Sequence, residues 1–441
     1  MAIFWLTTVA PAQNIPVFDS NPLVQELPLR EDLLSRMLAM EAELELLRHQ
    51  SVALQPTPLE SLVPGVSIQP NTERFEGNFS EQKKLNVGTD FYSLPDFDGG
   101  LVVHGHDVAM KLGGYVKADF IYDFNPIDST DSFDTTTIPV GAPDRRNARF
   151  HARQTRMSFD TRWASGFETV RIFVESDFFS DNSQFRLRHA YGEVRSVLVG
   201  KTWTAFAHAA AAPATLDMEG SVSSVNRRQA QLRYTQPIYC DSLTYSVSIE
   251  DTKFIVVPPM GITGEARSPS PDFVGRFRIE DDWGQAQIAG LYRIGGFQET
   301  GMEVVTGTGW GLNFTGVGLV TPQTKVYGQM VFGEGIGSYR DLPDAAGGDP
   351  LGVLGWMVGI THQWSHGMSS NFTYAENILD NVAAQDMDDV HRTTYFAANT
   401  IWSPLDRVDF GLEYLYGLRE NISGDIGIAH RVQASVIFRL P

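Results

Sequence analysis

Arginine recurs at every second position in several short segments of this 441-residue chain. Arg186 and Arg188 are two apart, as are Arg276 and Arg278. In Arg227-Arg228-Gln229-Ala230-Gln231-Leu232-Arg233-Tyr234, one parity reads Arg227, Gln229, Gln231, Arg233 and the other reads Ala230, Leu232, Tyr234. A guanidinium stays charged and offers a planar fork of donors that fits a carboxylate or phosphate. A row of such groups in confined water concentrates anions and repels cations. By alternation Arg156, Arg171, Arg186, Arg188, Arg227, Arg233, Arg276 and Arg278 belong to this row, and Lys201 joins them. Glu175, Asp177, Glu250 and Glu280 fall on the same faces, so an open anion ladder and pairing along a wall both stand as readings.

Other chemistry is poorly supported. His151, His189, His208 and His362 lie in no motif that sets a nucleophile beside a base, so no enzyme activity is expected. The Asp128, Asp131, Asp134 spacing lacks the pattern of a calcium loop, and neither a metal nor a cofactor is expected. Cys240 is the single cysteine, which excludes an internal disulfide. A net charge of -19 argues against nucleic acid as a partner.

The elements that would carry the arginines are strands, since only a period of two separates these faces. A soluble sandwich buries its apolar face; here arginine and glutamine mark the polar face in strand after strand, as in a barrel with lipid outside and water inside. Mean hydropathy is -0.16. No window holds 18 uncharged apolar residues, the minimum for a helical span, and alternation keeps a barrel's mean low.

Candidate strands fall near 113–123, 148–162, 167–179, 185–194, 197–206, 227–236, 242–251 and 272–281. The second half adds 284–296, 308–319, 324–333, 355–364, 368–377, 393–402, 407–417 and 430–440, sixteen in all. Connections alternate between tight turns and long loops, the asymmetry of outer-membrane barrels. The expected fold is therefore all-β, a 16-stranded antiparallel transmembrane barrel over 111–441, wide enough for a water-filled lumen. The long 207–226 connection, with His208, Asp217 and Glu219, follows the fifth strand; by analogy with general porins it folds inward as a constriction loop, and an outward external loop is the other reading.

The N-terminal quarter differs. Apolar residues 2–10 followed by Ala10-Pro11-Ala12 suggest a truncated signal peptide over 1–12. Leu33, Met37, Met40, Leu44 and Leu47 form a heptad seam, so 13–50 is expected as a short coiled-coil helix that needs partners to be stable. Residues 51–110, rich in Pro, Asn, Gly and Ser, read as a linker.

Four segments carry a family likeness: Ala152-Arg153-Gln154-Thr155-Arg156, Phe185-Arg186-Leu187-Arg188-His189-Ala190-Tyr191-Gly192-Glu193, Gly200-Lys201-Thr202-Trp203 and Arg228-Gln229-Ala230-Gln231-Leu232-Arg233-Tyr234. Together they resemble the DcaP-like outer-membrane porins over roughly 110–440. The resemblance implies a homotrimer in the outer membrane, in contact with its lipid and lipopolysaccharide. It further implies a periplasmic N-terminal helix, which could reach peptidoglycan or periplasmic partners, and passive uptake of small anionic solutes such as dicarboxylates or aromatic carboxylates. A non-selective pore, or a barrel that braces the envelope with little transport, is the competing reading.

Overall fold

The computed structural model describes residues 101–104, 108–165, 168–238 and 242–440. The leader and helix expected over 1–50, most of the expected linker, and Cys240 lie outside these residues. Besides a small separate sheet in which Ala345–Ala346 pairs with Val256–Val257 and with Asp349–Pro350, the described chain forms one antiparallel sheet closed on itself. In chain order its spans are β1 Val108–Asp123; β2, in two pieces, Asn147–His151 and Arg156–Ser165; β3 Glu168–Asp177; β4 Arg186–Val194; β5 Val197–Trp203; β6 Arg228–Pro237; β7 Leu243–Glu250; and β8, also in two pieces, Gly264–Arg267 and Asp272–Asp281. Then come β9 Gly284–Glu299, β10 Val304–Thr321, β11 Thr324–Glu334, β12 Gly352–Ser365, β13 Met368–Asp380, β14 Val390–Leu405, β15 Val408–Asn421 and β16 Ile426–Arg439. Neighbours in sequence pair in space, and β1 closes the ring against β16, with Tyr115 opposite Arg439 and Asp123 opposite Arg431. A short strand, Leu101–His104, doubles back onto the start of β1.

The alternation read from the sequence sets which face is which. Leu232 and Tyr234 are 51% and 40% exposed, whereas Arg233 between them is 5% exposed. Val247, Ile249, Val358, Ile360, Phe410 and Leu412 are likewise exposed on the outside. Inward, the wall buries Arg276, Arg278, Gln287, Asn313, Gln329 and Glu413. A closed sheet of this kind leaves no unpaired edge for the hydrocarbon to meet, the condition a spanning sheet must satisfy.

One end of the barrel has two-residue turns: Arg195-Ser196, Asp282-Trp283, Pro322-Gln323, His366-Gly367 and Asp406-Arg407. Arg195 and Arg407 adopt left-handed backbone there, which such tight hairpins demand. The opposite end carries the long connections, among them 124–146, 204–227 and 335–351. All sixteen expected strands are present, and the wall is taller than expected. The loop expected over 418–429 shrinks to 422–425, because β15 runs on through Arg419, Glu420 and Asn421 and β16 starts at Ile426. Arg419, Glu420 and Asn421 lack the apolar parity that marks a lipid-facing strand, so the pattern fades where β15 rises out of the apolar zone. At the other boundary β1 already begins at Val108, inside the stretch expected as linker.

Candidate functional site

The 204–227 connection turns into the barrel, and the wall is built to receive it. A chain segment inside a barrel must find partners for its N–H and C=O groups. Amide side chains from the inner wall provide them: Asn313 donates to Phe206 O at 2.7 Å, Gln287 to Ala207 O at 3.1 Å, and Asn399 to Ala214 O at 2.8 Å. Gln433 donates to Leu216 O and Asn377 to Val222 O. Two carboxylates serve as acceptors. Glu250 takes Ala205 N, and Glu413 takes Leu216 N and Asp217 N at 2.9 and 2.8 Å. The loop is thus pinned from β7 round to β16.

Neighbouring loops pack on it. Phe133 and Ile138 of the 124–146 loop lie against Ala211 and the inner faces of β14 to β16, in a cluster with Tyr395, Ala397, Leu415 and Ala429. Ile336 and Tyr339 of the 335–351 loop join Phe206 and Val225 in a second cluster. Glycines make the room. A Cβ at Gly411 would lie 2.6 Å from Leu216 Cδ1, and one at Gly417 would lie 2.9 Å from Ile138 Cδ1. Of the three loop residues singled out from sequence, His208 is a strut: buried, it bonds Thr315 at 2.8 Å and Gln285 at 3.0 Å. Asp217 is buried too, and its carboxylate accepts Phe133 N and Gly220 N, tying two loops together. Glu219 alone is half-buried, and it feels Asp341 and Asp134 from the neighbouring loops. Burial and these like charges raise its pKa well above the usual carboxylate range; burial raises that of Asp217 as well.

Opposite the loops, the wall from β2 to β6 carries the cations. Most of them are paired. Arg171 and Arg162 share Asp160, at 2.9 and 3.1 Å, and Arg171 also reaches Glu193. Arg186 forks onto Asp177 at 2.8 Å; Arg188 bridges Glu175 at 2.7 Å and Asp177 at 2.9 Å; Arg156 approaches Glu175 at 3.9 Å. Farther round, Arg276 donates to Ser246, Arg278 to Gln287, and Arg227 to Ser338 and Lys253 O. Arg233 is buried on the same inner face. Pairing along the wall therefore accounts for much of the row. The β3–β4 register slips at Glu175/Ser176, a bulge that lets Arg188 and His189 both bury although they are consecutive.

Lys201 departs from the expected parity. It stands opposite Ala190 on β4 and Ala230 on β6, in the row that alternates with inward Thr202 and Gln229. Ala190–Lys201 is also the last β4–β5 pair, so above it β5 has no β4 partner and Trp203 leads into the inward loop. There the outer row is enclosed. Trp203 is buried against the His189 ring, and Arg228, directly opposite Trp203 on β6, lies 4.2 Å over its indole. Strict alternation assigns Arg228 to the apolar face with Ala230, which is why sequence reasoning passes over it. The usable signal is its position, first in the strand after the inward loop. Its charge is felt together with those of Arg188, Arg156 and Arg186.

The site therefore has two faces, an arginine-rich wall and a loop face bearing Glu219, Asp134 and Asp341. Fixed charges so arranged can orient a charged solute, and no cluster of His, Cys, Asp or Glu that could hold a metal occurs among the described residues.

None of the curated proteins matches this chain. Among solved structures, the outer membrane channel DcaP of Acinetobacter baumannii is similar with a TM-score of 0.68 at 21% identity, over 78% of this chain and 100% of that one. The anion-selective porin from Comamonas acidovorans gives 0.51 at 11% identity, over 76% and 100%. OmpT of Vibrio cholerae in its trimer form gives 0.51 at 10% identity, over 76% and 99%. These likenesses concern the fold. A match to the family described as the porin subfamily covers residues 98–430, from ahead of the first strand into the last, and makes this chain a member of that family of outer-membrane channels.

Proposed function

We propose that this porin lets small anionic solutes, such as dicarboxylates and aromatic carboxylates, diffuse passively through a lumen whose wall is richer in guanidiniums than in carboxylates. The observation that carries the reading is local. Arg156, Arg186 and Arg188 share two carboxylates, Glu175 and Asp177, and the charge of Arg228 adds to theirs, although the chain as a whole carries -19. Nothing is made or broken in transit. A carboxylate entering the narrow zone sheds part of its hydration, and guanidinium contacts offset that cost while staying weak enough to release it. The half-buried position of Glu219 on the opposite face supports a constriction formed by the 204–227 loop, with His208 and Asp217 as its fixings.

Reversal potential in a planar bilayer under a potassium chloride gradient tests the reading. The wild-type channel should favour chloride, and candidate dicarboxylates should reduce its current. Reversing Arg186 and Arg188 together to glutamate should move the reversal potential toward potassium. No preference in the wild type would leave a general diffusion pore, and no open steps at all a bracing barrel.

We further propose a homotrimer, for which the trimer form of the OmpT neighbour is the support. Native mass of the detergent-extracted protein, expected at three copies, decides it; a monomer mass rejects it. The N-terminal segment is proposed to sit in the periplasm.

A further inference from the structure

We infer that Arg228, braced on Trp203 at the root of the inward loop, is the oxyanion-binding residue of this channel. The inference rests on the anion-preferring reading and names the group that would make first contact. Three observations lead to it.

Pairing comes first. Arg186 and Arg188 are committed to Asp177 and Glu175, Arg171 and Arg162 to Asp160, Arg293 to Asp272 and Asp344, and Arg431 to Asp123. A guanidinium already forked onto a carboxylate has spent the donor geometry a solute would use. Arg228 has no carboxylate in salt-bridge range among the described residues; its partner is the flat face of an indole.

Stacking on an aromatic ring holds a guanidinium plane without neutralising it. Trp203 is buried, wedged beside His189, so the shelf itself is fixed. The edge of the Arg228 fork, with its N–H donors, stays available while one face is covered. Arg228 is only half-buried, and the charges it feels are those of the inner-wall residues Arg188, Arg156 and Arg186.

Surrounding charge supplies the third observation. Arg188, Arg156 and Arg186 all repel Arg228, Lys201 is near enough to add to them, and Glu175 opposes them at Arg228 as Asp251 does at Lys201. The place is therefore positive before any ligand arrives, and an oxyanion relieves that repulsion. The fork suits two oxygens on one atom, which a carboxylate and a phosphate both provide.

The full-length protein in planar bilayers provides the test, with benzoate and inorganic phosphate titrated separately as blockers of chloride current. Wild type should be blocked by at least one of them, and which one identifies the oxyanion. R228Q should lower anion preference and raise the half-blocking concentration about tenfold, the loss expected for one charge-assisted fork. R228K should keep the reversal potential yet weaken the block, because an ammonium lacks the fork. W203L should behave like R228K, since the charge stays and its bracing goes. Unheated gel mobility checks that each barrel is folded. A folded R228Q that keeps wild-type block and wild-type anion preference overturns the inference and leaves the anion-preferring reading standing. A wild type blocked by neither probe overturns the inference as well. A wild type without anion preference overturns both.

Discussion

Arg188 is 2% exposed and bonded to two carboxylates, whereas Arg228, one of the guanidiniums near it, is half-buried and rests on a ring. Parity in the sequence found Arg186, Arg188, Arg233, Arg276 and Arg278 on the inner face, because a strand's alternation fixes direction. It also put Glu175 and Asp177, the partners of Arg186 and Arg188, on the same faces, but it could not match acid to base: Asp160 and Arg171 are brought together by strand register, which alternation does not encode. Among the acids of the loops, Glu219 is one of several, with Asp217, Asp341 and Asp344, whose pKa is raised above the ordinary carboxylate range. Its folded pKa is raised by burial and by Asp341, Asp134 and Asp217, so it takes up a proton at a pH where an ordinary glutamate remains charged. Arg227 and Lys253 lie on the Asp341 side of this cluster and hold part of its charge. As pH falls, the loop face loses negative charge while the guanidiniums keep theirs, and anion preference should rise. E219Q should weaken that pH dependence of the reversal potential; an unaltered pH profile in E219Q would count against this role.

For the elements, the inward loop follows from the wall as much as from its own sequence. Residues 204–227 could be placed by strand order, yet nothing local in a run of alanines says that the segment turns in. The groups that hold it, Gln287, Asn313, Asn377, Asn399, Glu413 and Gln433, are scattered over six strands, and in isolation each reads as an ordinary polar residue of a lumen. The glycine sockets were equally illegible, since Gly411 and Gly417 sit in strands where a missing side chain has no meaning until Leu216 and Ile138 arrive. G411V should push Leu216 off the wall at a cost of about 1–3 kcal/mol, the usual penalty of overpacking. The barrel should still form, because the loop contributes no wall pairing. Single-channel conductance should then rise and fluctuate as the loop leaves the lumen; conductance and noise equal to wild type would mean that the socket is dispensable.

The molecule as a whole was the most legible level. Sixteen apolar stripes, one per strand, and an alternation of short and long connections suffice to specify a closed sheet. What they could not set was height, since the upper part of β15, Arg419-Glu420-Asn421, carries no lipid-facing pattern.

Because β1 pairs with β16, more than three hundred residues separate two strands that must lie side by side. A chain that stops short of Ile426 would present two raw seams, with rows of N–H and C=O groups that acyl chains cannot hydrate. Partial products are thus denied a halfway home in the bilayer. The polypeptide must be kept unfolded and escorted until its final segment has emerged, and zippering of first strand to last is the step that commits it to the membrane.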